Sequence, residues 1–334
     1  MAVTWIVTID NTKVSADLTD YPVYIDLSDM PAAWRDVVTN GWGDIRCYKS
    51  DWTTELAREV VSCDTATNNW ELHVKYSWTL SSSVDTDIKI VVDWISTEPA
   101  AWSTYGSEAV WSDYKAVYHM NEASGNIADA TGNGNTGTAN WNPTYSQSWI
   151  FWSAIDLDWT WDYFEIATSP FLSSTFSIQA LVKSNDWTNR WVVYWEFVGT
   201  DTKNYIGYFE GSDNFIFDQF TPSSWWVQWA TVWTSRTHIL ANQSAVDSRE
   251  LFTNWASDGT ASETYSWSTP TSVRIWSRPS LEELDWQIDE IRFMDWVTVP
   301  SWRATTEYNN WLSASTFYST SVAPTAQWNF FMVM

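Results

Sequence analysis

Runs in which apolar and polar residues alternate, each halted by turn chemistry, recur along the whole chain. Val3–Ile9, Val23–Leu27, Glu71–Tyr76, Ile88–Val92, Phe176–Val182, Tyr205–Phe209, Val273–Ile275 and Gln287–Phe293 all carry the pattern. A period of two lays one set of side chains on each face of a strand, so a chain written this way buries one face and wets the other. Helical periodicity is confined to Ala32–Thr39 and Arg303–Asn309. Short strands with turns every 8–12 residues or so predict an all-β protein built of sandwiches. The 334 residues suffice for two domains. Alternation lapses in Glu98–Glu108 (EPAAWSTYGSE), which predicts a small β-sandwich over 1–105, a second domain over 106–320 and a tail over 321–334 containing Pro324 and an apolar NFFMVM end. No internal repeat of fixed period and no low-complexity linker is present.

The turns themselves are unusual. The chain holds 29 Trp and 11 Gly, whereas ordinary usage would supply about 23 Gly in this length. Trp repeatedly follows Asp or Asn directly, as in Asp51-Trp52, Asn69-Trp70, Asp158-Trp159, Asn254-Trp255, Asp285-Trp286 and Asn310-Trp311. Asn-Gly and Asp-Gly are strong turn signals because Gly takes φ > 0 freely, and Trp is a poor substitute there. In the stretch AIDLDWTWDYFEI (Ala154–Ile166), two strand patterns flank Asp158-Trp159-Thr160-Trp161-Asp162, which reads as a hairpin loop. One cause accounts for the surplus and its placement: UGA codons that some bacterial codes read as glycine, rendered here as tryptophan. Trp111 and Trp226 lie outside turn chemistry and read as genuine. The rival explanation, a Trp-rich sugar-stacking surface, needs a few rings on one face rather than one ring per turn.

Charge narrows the partners. With 41 acidic and 17 basic side chains the formal charge is −24, so nucleic acid and anionic membrane are both excluded as partners. No stretch approaches the length that spans a bilayer, so no membrane insertion is expected. Met1–Asp10 alternates like a strand and lacks the charged and apolar regions of a secretory leader. Cys47 and Cys63 read either as two ordinary thiols or as one bridge between neighbouring strands.

With those Trp read as Gly, four motifs of the second segment resemble the laminin-G-like, concanavalin A-like jelly-roll superfamily. They are Ala116–Glu122 (AVYHMNE), Ile127–Gly137 (IADATGNGNTG), Ser153–Tyr163 (SAIDLDWTWDY), and Val273–Ser277 followed by Leu284–Phe293 (LDWQIDEIRF). The first segment is similar to a domain-of-unknown-function family found upstream of such modules, through Ile9–Thr12, Tyr21–Ile25, Asp44–Arg46 and Glu55–Glu59. The resemblance implies two β-sandwich domains, the second a concanavalin A-like jelly roll.

The superfamily includes glucanases, whose signature resembles E-x-D-x-x-E. Here Glu283-Leu284-Asp285-Trp286-Gln287-Ile288-Asp289-Glu290 places Ile288 where the second Glu belongs. Asp285 and Asp289 lie about 13 Å apart on a regular strand, beyond the roughly 10 Å limit for paired glycosidase carboxyls, and regular alternation points Glu290 to the other face. A glucanase is therefore rejected. Calcium is the expected cofactor: Asp129, Asn133 and Asn135 fall in a Gly-rich loop, and Asp289 belongs to the last motif. Carboxylates, amide oxygens and carbonyls suit a hard cation, although the same residues also form Asx turns. His73, His119 and His238 show no ligand spacing, and His119 reads as a packed or edge residue. Tyr163, Tyr205, Tyr208 and Phe209 serve sugar stacking or core packing equally well. The expected function is non-catalytic recognition of a glycan or cell-surface glycoprotein at an extracellular, cell or virion surface. The alternative is an adhesin or phage-like appendage segment acting as spacer or assembly surface.

Overall fold

A computed structural model of the chain describes residues 3–36, 38, 43–64, 69–93, 97–147, 153–157, 162–167, 170, 173–184, 191–198, 201–209, 214–219, 225–231, 237–244, 248–262, 270–275 and 286–323. The protein is all-β, with four antiparallel sheets paired into two sandwiches. In the first, a five-stranded sheet ordered 318–322, 3–9, 86–92, 45–49, 55–56 faces a three-stranded sheet ordered 21–26, 69–76, 58–64. Alternation builds the core between them: Val7, Ile9, Cys47, Ile88 and Ile90 meet Val23, Ile25, Leu72 and Val74. Cys47 and Cys63 lie in opposite sheets and form no bridge with each other, and burial pushes the Cys47 thiol up to about 12.

The second sandwich packs an eight-stranded sheet on a seven-stranded one. Ile178, Ala180, Val182, Ile239, Ile288, Ile291 and Phe293 of the former face Phe164, Ile166, Val273 and Ile275 of the latter. Several intervening residues of the eight-stranded sheet are apolar too, beside buried polar ones such as Gln179, His238 and Arg292. Val117, Leu240, Phe252 and Met294 form a further cluster with Ala57, and Leu181 and Ala154 form another with Tyr24. Both faces of this sheet are thus buried, the outer one against the first domain.

A helix over Ser301–Leu312 occupies the seam, burying Ala304, Glu307 and Trp311 at the three- and four-residue spacing of one helical face. Asn310 accepts the backbone N–H of Tyr24 at 2.8 Å and donates to its carbonyl at 2.8 Å, replacing a missing strand partner. The chain then returns to the first domain, where Tyr318–Val322 pairs with Val3–Ile9 at the edge of the five-stranded sheet. The sequence boundary between 320 and 321 therefore falls inside this edge strand.

Tryptophan divides into two populations. Trp52, Trp141 and Trp296 adopt φ of 66°, 61° and 66°, the left-handed region that favours glycine. Their side chains are 45%, 75% and 69% exposed, and each follows Asp or Asn. Asn254, with φ 59°, leads the two-residue Asn254-Trp255 turn between strands Arg249–Thr253 and Ala256–Ala261. Trp70 and Trp311 correct the turn reading: Trp70 is the second residue of a strand and Trp311 lies in the helix, and each ring is buried in an apolar cluster. The hairpin reading of AIDLDWTWDYFEI is also corrected. Ala154–Leu157 belongs to the eight-stranded sheet and Tyr163–Ile166 to the seven-stranded one, so the segment crosses the sandwich instead of folding back. Residues 158–161, and Asp285 before Trp286, lie outside the described residues.

Candidate functional site

The strand Asn69–Tyr76 sends Leu72, Val74 and Tyr76 into the first core. Its other face carries Glu71, His73 and Lys75, all buried. Glu59 on the neighbouring strand stands opposite His73. Polar side chains on this face meet the second domain rather than solvent, and opposite them are His119, Trp111, Glu290 and Arg292.

A β-bulge aims Glu290. Gln179 pairs with Arg292 and Leu181 with Asp289, so two residues, Glu290 and Ile291, oppose Ala180 alone. Ile288, Ile291 and Phe293 all enter the core, and the extra residue absorbs the broken alternation. The expectation that regular alternation governs Glu290 is thereby corrected. Glu290 holds φ 45°, a strained value for a side-chain-bearing residue, and Met120 beside His119 holds φ 51°.

The resulting cluster is tightly bonded. His73 Nε2 lies 2.9 Å from Glu71 Oε1 and 3.5 Å from Glu290 Oε1. His119 Nδ1 bonds Glu290 Oε1, and its Nε2 lies 3.0 Å from Glu59 Oε2, which also accepts the Trp111 indole N–H. The His73 and His119 rings stack with centroids 5.3 Å apart. Arg292 Nε donates to Glu290 Oε2 at 2.9 Å, and its guanidinium lies 4.6 Å from the Trp111 centroid and 4.1 Å from that of Trp311. Burial raises the Glu71 carboxyl well above its usual range, assisted by the Glu290, Asp289 and Glu59 charges and opposed by His119. Burial lowers His73 to about 4. In His119 burial acts downward, yet Glu290 and Glu59 hold it well above its ordinary value. Burial likewise opposes ionisation of Glu290, but Arg292 and His119 keep its carboxyl well below the usual range.

Where Lys75 reaches the edge of this face, a groove of about 420 Å³ opens between the domains. Its walls include Asp20, Glu55, Lys75, Trp78, Tyr105 and Ser112. Trp78 and Tyr105 are each 40% exposed, and Lys49 Nζ sits 4.4 Å from the Trp78 ring centroid. Lys75 Nζ donates to Ser112 Oγ at 2.7 Å and to Asp113 Oδ2 at 2.8 Å. Part-exposed aromatic side chains beside carboxylates and hydroxyls suit a ligand with an apolar face and a rim of hydroxyls.

The structure gathers three of the four residues expected to bind calcium. Asp129 Oδ1 accepts the N–H groups of Val117 (3.2 Å) and Thr131 (3.0 Å), and its Oδ2 accepts that of Asn135 (2.9 Å). Asn133 and Asn135 donate through Nδ2 to the Lys115 carbonyl at 3.2 and 2.6 Å. Asp289 takes no part in these bonds; it is buried in the strand Trp286–Asp295, where its Oδ1 accepts the Glu290 N–H at 2.8 Å. His238 stands apart from the other two histidines, its Nδ1 3.0 Å from the Asn254 carbonyl oxygen. Tyr163 carries the Arg274 guanidinium 4.4 Å from its ring centroid, whereas the side chains of Tyr205, Tyr208 and Phe209 lie outside the description. Glu59, Glu71, His73 and Arg292 were missed from the sequence. Their signals were an E-x-H-x-K face where a wet strand carries Ser and Thr, and the three-residue spacing of Ile288 and Ile291.

No family model and no curated protein matches the chain. Solved structures do match. The binding domain of botulinum neurotoxin DC in complex with rat synaptotagmin II aligns over 59% of this chain and 52% of its own, with a TM-score of 0.50 at 10% identity. Domain 4 of AbnA, a GH43 extracellular arabinanase from Geobacillus stearothermophilus, in complex with arabinotriose, aligns over 58% of this chain and 97% of its own, with a TM-score of 0.49 at 14% identity. The botulinum neurotoxin type G receptor binding domain aligns over 59% and 51%, with a TM-score of 0.48 at 9% identity. This chain spans about half the length of the botulinum neurotoxin domains it matches. At such identities the likeness is one of fold, a β-sandwich.

Proposed function

We propose that this protein is a non-catalytic, laminin-G-like recognition module of an extracellular or cell surface that binds carbohydrate or glycoprotein. The groove carries the proposal: the part-exposed side chains of Trp78 and Tyr105 line it beside Asp20, Glu55 and Lys75. Sugars stack their apolar C–H face on such rings while their hydroxyls bond to the charged rim. The botulinum neurotoxin DC binding domain, solved in complex with rat synaptotagmin II, lends its fold, and no more, to this reading.

Glycan-array screening of the full chain, followed by calorimetry on the strongest binder, tests it. Trp78→Ala and Tyr105→Ala are each expected to weaken that binding about tenfold, roughly 1.4 kcal/mol, with the melting temperature little changed because both rings are exposed. A folded chain that retains no glycan overturns the proposal. It leaves the spacer reading, which the buried seam and returning edge strand favour. Turnover of a polysaccharide would overturn the non-catalytic part.

Calcium at Asp129, Asn133 and Asn135 belongs to the same proposal. Both asparagines donate through Nδ2, leaving Oδ1 for a hard cation. Calcium added after chelation is expected to give heat and raise the melting temperature, and absence of both removes it. Asp129→Ala is expected to cost about 2–3 kcal/mol in chelator alone, since the Val117, Thr131 and Asn135 N–H groups then lose their charged acceptor. Urea unfolding measures that loss.

A further inference from the structure

We propose that Glu71, His73, His119 and Glu290 form a closed zinc-type metal site that clasps the two domains together. One donor atom from each of these four buried residues lies within 4.8 Å of every other. Glu71 and His73 come from the first domain, His119 and Glu290 from the second.

The donor set and its spacing select the ion. Separations of 2.9 Å (His73 Nε2 to Glu71 Oε1), 3.5 Å (His73 Nε2 to Glu290 Oε1) and 3.8 Å (His119 Nδ1 to Glu71 Oε1) straddle the ligand spacing of a zinc tetrahedron, and the directly bonded His119 Nδ1–Glu290 Oε1 pair parts to admit the ion. With bonds near 2.05 Å that spacing is about 3.3 Å. Two imidazole nitrogens with two carboxylates favour zinc over calcium or magnesium, which take oxygen alone. Four protein donors, all buried, leave no open position for water or substrate, so the site is structural.

The surrounding residues provide an independent argument. A metal-ligating imidazole ordinarily donates its other N–H to a carboxylate, which orients the ring. His119 does so: Nε2 bonds Glu59 Oε2 at 3.0 Å while Nδ1 faces the other donors. Glu59 is held in turn by the Trp111 indole. The second oxygen of Glu290 is held by Arg292 Nε at 2.9 Å, leaving Oε1 for the centre. Three carboxylates converge on His119 in the seam: Glu59 at 3.0 Å from Nε2, and Glu71 at 3.8 Å from Nδ1 together with Glu290.

The test uses the full chain, freed of metal by chelator and then titrated with zinc. About one zinc ion per chain is expected by elemental analysis after desalting, together with a higher melting temperature. Cobalt in place of zinc is expected to give the intense visible absorption of tetrahedral coordination. His73→Gln and His119→Gln should reduce bound zinc at least tenfold. Should either variant fail to fold, the cobalt spectrum of the unaltered chain decides. A folded chain that retains no zinc, or cobalt that gives only weak octahedral bands, overturns the proposal. So does undiminished zinc in both folded histidine variants.

Discussion

Arg292→Ala is expected to destabilise the protein by about 3–5 kcal/mol, the range for breaking a buried ion pair by removing one partner. The guanidinium is fully buried, donates to Glu290 and lies 4.1 and 4.6 Å from the Trp311 and Trp111 ring centroids. Its removal leaves Glu290 beside Glu71 and Asp289 with no permanent cation bonded to it, and opens space between two indoles. Urea unfolding measures the change. Arg292→Lys is expected to lose less, because charge is kept while the planar stacking is lost. A cost below about 1 kcal/mol for Arg292→Ala would show that the seam does not depend on this cation.

Replacing tryptophan by glycine is expected to have opposite effects at two sets of positions. Trp52→Gly, Trp141→Gly and Trp296→Gly should each stabilise by about 1 kcal/mol, since each residue holds φ near 60° and relief of left-handed strain in an L-residue is of that order. Trp70→Gly should destabilise by about 3–5 kcal/mol, the cost of deleting a large aromatic from a packed core. Denaturant midpoints of the four variants check both signs. The codons at positions 52, 141 and 296 provide a separate test: UGA is expected there, and UGG would end the recoding explanation for those residues. A stabilised Trp70→Gly would instead show that this ring overfills its cluster. Among the described residues its buried indole N–H has no hydrogen-bond partner, nor has that of Trp34.

Much of the fold could be read from local pattern. Val3–Ile9 forms over the expected residues, and Glu71–Tyr76, Phe176–Val182 and Gln287–Phe293 lie within longer observed strands. The Arg303–Asn309 helix likewise extends at both ends. These features were legible because alternation and helical spacing act between residues only a few positions apart. The Asx-Trp pairs disclosed the left-handed turn at Trp52 for the same reason.

The functional site was far less legible. Glu71, His73 and Lys75 occupy the outer face of a strand, and only the second domain, packed over that face, makes them interior groups. His73 and His119 stand 46 positions apart in the chain yet stack in the seam, a proximity no ligand spacing announces. Glu290 reaches them through a bulge that depends on pairing with Phe176–Ser184, and the groove beside Trp78 exists only where the domains meet. By itself the sequence determined which segments become strands and where the backbone turns, because those choices are settled among near neighbours. Which sheet each strand joined, which polar face was sealed from water and where the imidazoles met carboxylates were decided by tertiary packing, through contacts between residues remote along the chain.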